Sequence, residues 1–140
     1  MSRQVIHASC VDFEGRGVLI LGSSGSGKSA LSLQLMSIGS ALVSDDQVEL
    51  RPVNGHLIAN APATIKGLVE ARGVGILHAV TAAQTRLVLA VDMDTEEQER
   101  LPECHWYEIF DCRLPCLCRV DAAYFPAAIL QMVKHGRQTT

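Results

Sequence analysis

Short apolar runs alternate with polar breaks along the chain, and in two places the rhythm shifts from the two-residue period of strands to the 3.6-residue period of helices. Residues 5–12 and 17–21 predict two strands, joined by a hairpin turn of loose type at Glu14-Gly15-Arg16-Gly17. From Lys28 to Ile38 the pattern is helical: Leu31, Leu35 and Ile38 recur at i, i+4 and i+7, with Leu33 and Met36 beside them, and Gly39 stands where a helix stop belongs. Ala41-Leu42-Val43 predicts a short buried strand that delivers Ser44-Asp45-Asp46 at its carboxyl end. Val48 to Val53 and His56 to Ala59 flank Asn54-Gly55, the strongest short hairpin signal, and Pro52 predicts that one of the two is an edge strand. A turn or short helix is expected over 62–69, and strands near 75–80 and 86–91.

The acidic stretch 92–100 reads as solvated loop with at most a helical turn. Trp106 to Phe110 and Arg113 to Val120 predict strands, Pro115 again marking an edge. Asp121 is expected to cap a final helix whose apolar face holds Phe125, Ile129, Met132 and Val133, closed by Lys134, His135 and Gly136.

Chemistry enters where the run Val18-Leu19-Ile20-Leu21 meets Gly22-Ser23-Ser24-Gly25-Ser26-Gly27-Lys28-Ser29. This segment fits G-x-x-x-x-G-K-[ST], and strand, glycine loop and helix are the context that pattern needs. Glycines let backbone N–H groups turn inward around phosphate oxygens, and the helix adds its positive dipole end. Lys28 is placed to reach terminal phosphates and Ser29 to offer a hydroxyl to Mg²⁺, which implies a nucleoside triphosphate site. Asp45 and Asp46 return after one helix and one strand, and adjacent residues at a strand end point apart. One carboxylate can therefore face an acceptor hydroxyl while the other faces metal. Glu70 and Arg72 alternate on an extended segment and can share a face, with Gly73 and Gly75 permitting close backbone approach. His7 lies near the end of the first strand; a lone histidine there is ordinarily packed or exposed without chemistry.

Composition narrows the classes. With 140 residues and 48% apolar content, the chain is expected to form one domain over 1–140. A net charge of −3 without a lysine or arginine block argues against nucleic acid or an acidic membrane as partner. The N-terminus has no apolar signal core, and no run approaches the ~18 apolar residues of a spanning helix, so a cytoplasmic protein is expected. The five cysteines, an odd set, are expected to be reduced. Cys104-His105 and Cys112, Cys116 and Cys118 invite a zinc reading. No C-x-x-C pair exists, however, and the cysteines of this segment are expected to be divided between opposite faces, as small buried hydrophobes.

Taken together, His7, the segment from Gly15 to Ser29, Val43-Ser44-Asp45-Asp46 and Glu70-Ala71-Arg72-Gly73-Val74-Gly75-Ile76 resemble, in order and spacing, the catalytic domain of the bacterial HPr kinase/phosphorylase. The resemblance covers residues 5–80. It implies an α/β fold of the phosphate-loop type shared by HPr kinase and PEP carboxykinase, a mixed sheet with flanking helices, in a short form without the N-terminal domain of longer members. It further implies an ATP- and Mg²⁺-dependent kinase acting on a serine of an HPr-like phosphocarrier, with phosphorolysis as the reverse reaction and a hexamer as the assembly. Asp45 would be the general base, with His7, Lys28 and Arg72 also in the catalytic group; Asp46 and Glu70 would join Ser29 at the metal. A carboxylate is a weak base, but it need only accept the proton late, as the oxygen–phosphorus bond forms. Members also carry a Pro-Gly-Arg-Asn type segment in a late loop. That segment is not found here; Leu114-Pro115-Cys116-Leu117-Cys118-Arg119 stands in about its place, with Arg119 the candidate substitute. The competing readings are a small-molecule kinase of the shikimate-kinase kind, for which 92–104 is a poor arginine lid, and a nucleotide-binding regulatory module without catalysis.

Overall fold

The computed structural model describes residues 2–63 and 66–138, which form eleven strands and two helices. The first apolar run is split. β1 (Gln4–Ile6) and β2 (Ala8–Phe13) part at a bend on His7, because β1 pairs with β5 (Val48–Val53) whereas β2 lies between β3 (Arg16–Leu21) and β4 (Ala41–Ser44). The turn between β2 and β3 is tighter than expected: Glu14 and Gly15 alone make it, both at positive φ (52° and 90°), the geometry that matches strand twist. Asn54 (φ 51°) and Gly55 (φ 79°) repeat it between β5 and β6 (His56–Asn60).

The sheet is mixed and runs β1-β5-β6-β9-β3-β2-β4, with β11 (Cys112–Arg119) joined to the far half of β9 (Gln84–Glu96) and β10 (His105–Ile109) paired in turn with β11. β9 takes two partners on one edge, β6 antiparallel at its start and β11 parallel from Ala90, while β3 runs parallel along the other. Residues 92–96, expected as loop, therefore continue a strand; Leu89, Val91 and Met93 alternate inward and leave the acids between them. Gly17 pairs with Leu87 and Val18 with Leu89, so Val88 is an extra residue that turns the strand over. Pro52 lies beyond the part of β5 that β1 covers, and Pro115 lies just before β11 begins to pair with β9. Each proline thus marks an uncovered stretch, and neither whole strand is an edge.

One face of the sheet packs on α1 (Lys28–Ser37), α2 (Phe125–His135) and a separate ribbon of β7 (Leu68–Ala71) with β8 (Gly75–His78). Part of the turn or helix expected over 62–69 is strand β7, and positions 64 and 65 lie outside the described residues. The other face closes on itself as the sheet curls, burying Cys10, Leu19, Leu50, Leu57 and Leu114. Each fully buried aliphatic side chain of this size contributes about 1.5–3 kcal/mol. α1 stops at Gly39 (φ 116°) as the pattern predicts, and α2 at Gly136 (φ 77°). Asp121 does not cap α2: Tyr124 holds that position, Pro126 is in the first turn, and Asp121 is paired with Arg119. No helix among the described residues is long and apolar enough to cross a membrane.

Because β2 is antiparallel to both β3 and β4, its first residues lie at the same sheet edge as the last residues of those two strands. The far half of β9, parallel to β3, ends there too. His7, Ser9, the loop after β3, the acids after β4 and Asp94 are thereby gathered on one rim.

Candidate active site

The glycine loop connects β3 to α1 in a shape that most residues cannot adopt. Gly22, Gly25 and Gly27 have φ of 152°, 82° and 102°, and a Cβ on Gly22 would collide with Ser26 Oγ. Gly27 is the N-cap of α1, with no side chain bonded to the helix amides, so the first-turn donors face the loop. The Ser26 hydroxyl is buried without a hydrogen-bond partner among the described residues, the kind of orphaned donor that a phosphate oxygen satisfies. Lys28 is buried, its Nζ donating to Ser23 O at 3.0 Å across the loop. Ser24, Gly25, Lys28 and Ser29 border a cavity of about 390 Å³, whose other wall includes Asp46, Glu70 and Arg72. Loop shape, orphaned donor, ammonium and cavity all fit a polyphosphate.

The two aspartates separate as expected of neighbours at a strand end. Asp45 turns inward and is buried: Oδ1 accepts from Ser9 Oγ (2.8 Å) and Ser29 Oγ (2.9 Å), and Oδ2 from Ser29 Oγ (3.0 Å) and the Glu70 amide (3.2 Å). Asp46 has φ of 70°, a left-handed conformation that costs an ordinary residue of order 1–3 kcal/mol and persists where surroundings enforce it. It aims the exposed carboxylate at His7, whose Nε2 is 2.6 Å from Oδ1. A bulge lies just before the pair, where Cys10 faces Ser44 but Val11 faces Leu42. Ser29 therefore contacts Asp45, while Asp46 and Glu70 line the cavity. Arg72 does not extend β7 beside Glu70; it begins the β7–β8 turn, and both side chains are exposed at the cavity mouth.

Two residues absent from the sequence reading belong to this rim. Ser9 is fully buried and links the aspartates, donating to Asp45 and accepting from the Asp46 amide at 3.3 Å. Asp94 accepts from the Ser23 amide (2.9 and 3.1 Å) and hydroxyl (2.8 Å), fixing the entry of the glycine loop. These bonds, the amide first and the hydroxyl next, hold its carboxyl below the ordinary aspartate range. The alternation that carries Met93 inward was the available signal for Asp94; for Ser9 there was none beyond its place on the strand after His7.

Arg119, the candidate substitute for a late-loop arginine, lies in a strand. Its guanidinium donates to Asp121 (3.0 Å), Glu96 (3.2 Å) and Met93 O (2.7 Å); Asp121 first and Glu96 next raise its pKa, and Glu96 and Met93 tie it to β9. The cysteines also differ from expectation. Cys10 and Cys112 are buried, Cys104 is exposed, and Cys116 and Cys118, two apart on β11, share a face. Burial pushes the Cys116 thiol up to about 11, helped by the charge of Asp92.

A family model described as the HPr serine kinase C-terminal domain matches residues 1–102. The chain is 39% identical over 103 residues to HPr kinase/phosphorylase 1 of Oceanobacillus iheyensis, covering 68% of this chain and 33% of that protein. It is 38% identical over 124 residues to the HPr kinase/phosphorylase of Caldicellulosiruptor bescii, covering 79% and 40%. The chain thus spans about a third of the length of these curated relatives. Its fold matches the solved structure of the Hpr(Ser) kinase/phosphatase from Coxiella burnetii with a TM-score of 0.77, 26% identity and 94% of each chain covered.

Proposed function

The chain belongs to the HPr serine kinase C-terminal domain family, and from that premise we propose that it transfers the terminal phosphoryl group of ATP to a serine hydroxyl of an HPr-like phosphocarrier. The observation that carries this reading is the junction of the glycine loop with the two aspartates, Ser29 hydrogen-bonded to Asp45 and Asp46 lining the same cavity. Bound Mg-ATP supplies the transferable group and the divalent charge that offsets the phosphates. The loop amides, Ser26 Oγ and Lys28 hold the polyphosphate, with Lys28 leaving Ser23 O to reach it. Ser29, Asp46 and Glu70 offer the oxygen donors a hard cation prefers.

Asp45 accepts the seryl proton in this scheme. Its hydrogen bonds from Ser9, from Ser29, whose hydroxyl is shared between both carboxylate oxygens, and from the Glu70 amide fix its direction, which matters more to a late proton transfer than basicity. His7 holds Asp46, and Arg72 at the cavity mouth offsets charge developing on the transferred group. The same residues run in reverse would return the proton to the seryl oxygen during phosphorolysis.

Asp45→Asn is expected to lower transfer to the carrier by about 10²–10⁴-fold, the range lost with a general base, while nucleotide affinity changes far less. Transfer followed with radiolabelled ATP and binding followed by calorimetry separate the two. Full transfer by Asp45→Asn together with none by Asp46→Asn would exchange the roles of the two carboxylates. Turnover of small hydroxyl metabolites with no transfer to any carrier would overturn the assignment.

A further inference from the structure

At the far end of β9 three residues of different donor type converge. Glu97 follows the last residue of β9, His105 opens β10, and Cys118 lies near the end of β11. A carboxylate oxygen, an imidazole nitrogen and a thiol sulfur from these side chains all lie within 4.8 Å of one another. Backbone pairing sets the arrangement: His105 faces Cys116 across β10 and β11, Cys118 faces Asp92 across β11 and β9, and the Glu97 amide donates to Arg119 O at 2.9 Å. His105 Nε2 is 2.9 Å from Glu97 Oε1, and the Glu97 side chain is only 10% exposed.

The geometry points to a zinc site formed by Glu97, His105 and Cys118, with its fourth position open to solvent on the exposed His105 side. Zinc bonds of about 2.0–2.3 Å place tetrahedral donors roughly 3.3–3.8 Å apart, so the longest separations close by no more than about 1–1.5 Å while the hydrogen-bonded His105–Glu97 pair opens by roughly half an ångström as the ion takes the place of the shared proton. Mixed sulfur, nitrogen and oxygen donors suit a borderline-soft ion. Mg²⁺ takes oxygen alone, which keeps this site chemically distinct from the one beside the glycine loop. The expectation against zinc rested on the missing C-x-x-C pair and on cysteines divided between faces. Here the donors come from β10, β11 and the residue that follows β9, and a two-residue spacing puts Cys118 on the face of Cys116. His105 and Cys118 also lie beyond the residues that the family model matches.

The test uses the full chain, stripped with a chelator and titrated with Zn²⁺ against a chromophoric competitor. One zinc per chain is expected, and Co²⁺ in its place should give a thiolate-to-cobalt charge-transfer band. His105→Ala and Cys118→Ser should each weaken zinc binding by at least about 10–100-fold, and Cys118→Ser should remove the band. His135→Ala, at the end of α2, should leave both unchanged. His105 is solvent-facing, so its removal leaves the fold intact, which circular dichroism of the metal-free variant checks. Failure to bind one zinc, or binding kept within a few-fold by both ligand variants, overturns the site.

Discussion

Asp94 carries a negative charge toward a loop built to hold negative charge, and the apparent conflict resolves in its hydrogen bonds. The carboxylate is not part of the cavity wall; it takes the amide and hydroxyl of Ser23 at the loop entry, outside Ser24, Gly25, Gly27, Lys28 and Ser29, which border the cavity. Since these bonds depress its folded-state pKa, the ionised form favours the folded loop. The stabilisation is complete above the unfolded pKa and is lost as pH falls through the lower, folded value. Carbon-detected NMR of the Asp94 carboxyl should therefore give a titration midpoint below that of the same residue in an unfolded peptide. A midpoint at or above the peptide value would remove Asp94 from its anchoring role. Asp45, Asp46, Lys28 and Ser29 were legible in the sequence because loop chemistry and strand-end position both marked them. Asp94 and Ser9 were not, since their partners come from distant strands and nothing in their own neighbourhood announces the contact.

Elements were legible where local chemistry and tertiary pairing agree. Asn54-Gly55, the stop at Gly39 and the apolar face of α2 needed no long-range information. Long-range pairing decided the others: β1 leaves β2 at His7 to join β5, and β9 continues through its acids because β3 and β11 pair with it there. α2 depends on both kinds of support. Phe125, Ile129 and Val133 face the core, and Arg16 from β3 donates to the carbonyls of Val133 (3.1 Å) and Lys134 (3.2 Å) at its C-terminal end. Ile129 is fully buried, so Ile129→Ala should cost about 2–5 kcal/mol of stability, read from urea unfolding. Loss of less than about 1 kcal/mol would mean that α2 is only loosely docked on α1 and the sheet.

At the scale of the whole molecule, Cys10 is a reporter of how cooperatively the sheet holds the site. It is fully buried in β2, between β3 and β4, and burial together with the charge of Asp12 pushes its thiol far above the ordinary range. Alkylation needs both access and thiolate, so Cys10 reacts only when the sheet opens, whereas exposed Cys104 reacts from the native state. Even a stability of about 5 kcal/mol suppresses labelling about 10³-fold or more. The strand that carries Cys10 also carries Ser9, which ties Asp45 and Asp46 to the rim where nucleotide is proposed to bind. Mg-nucleotide at 100 times its Kd should accordingly slow Cys10 labelling by a further factor of about 100, the full linkage effect for a ligand that binds only the folded state, and leave Cys104 nearly unchanged. Mass spectrometry of N-ethylmaleimide adducts measures both sites in one experiment. Cys10 labelling within tenfold of Cys104 would show that β2 opens locally. Protection of Cys104 without protection of Cys10 would place the nucleotide away from the rim built by β2, β3 and β4.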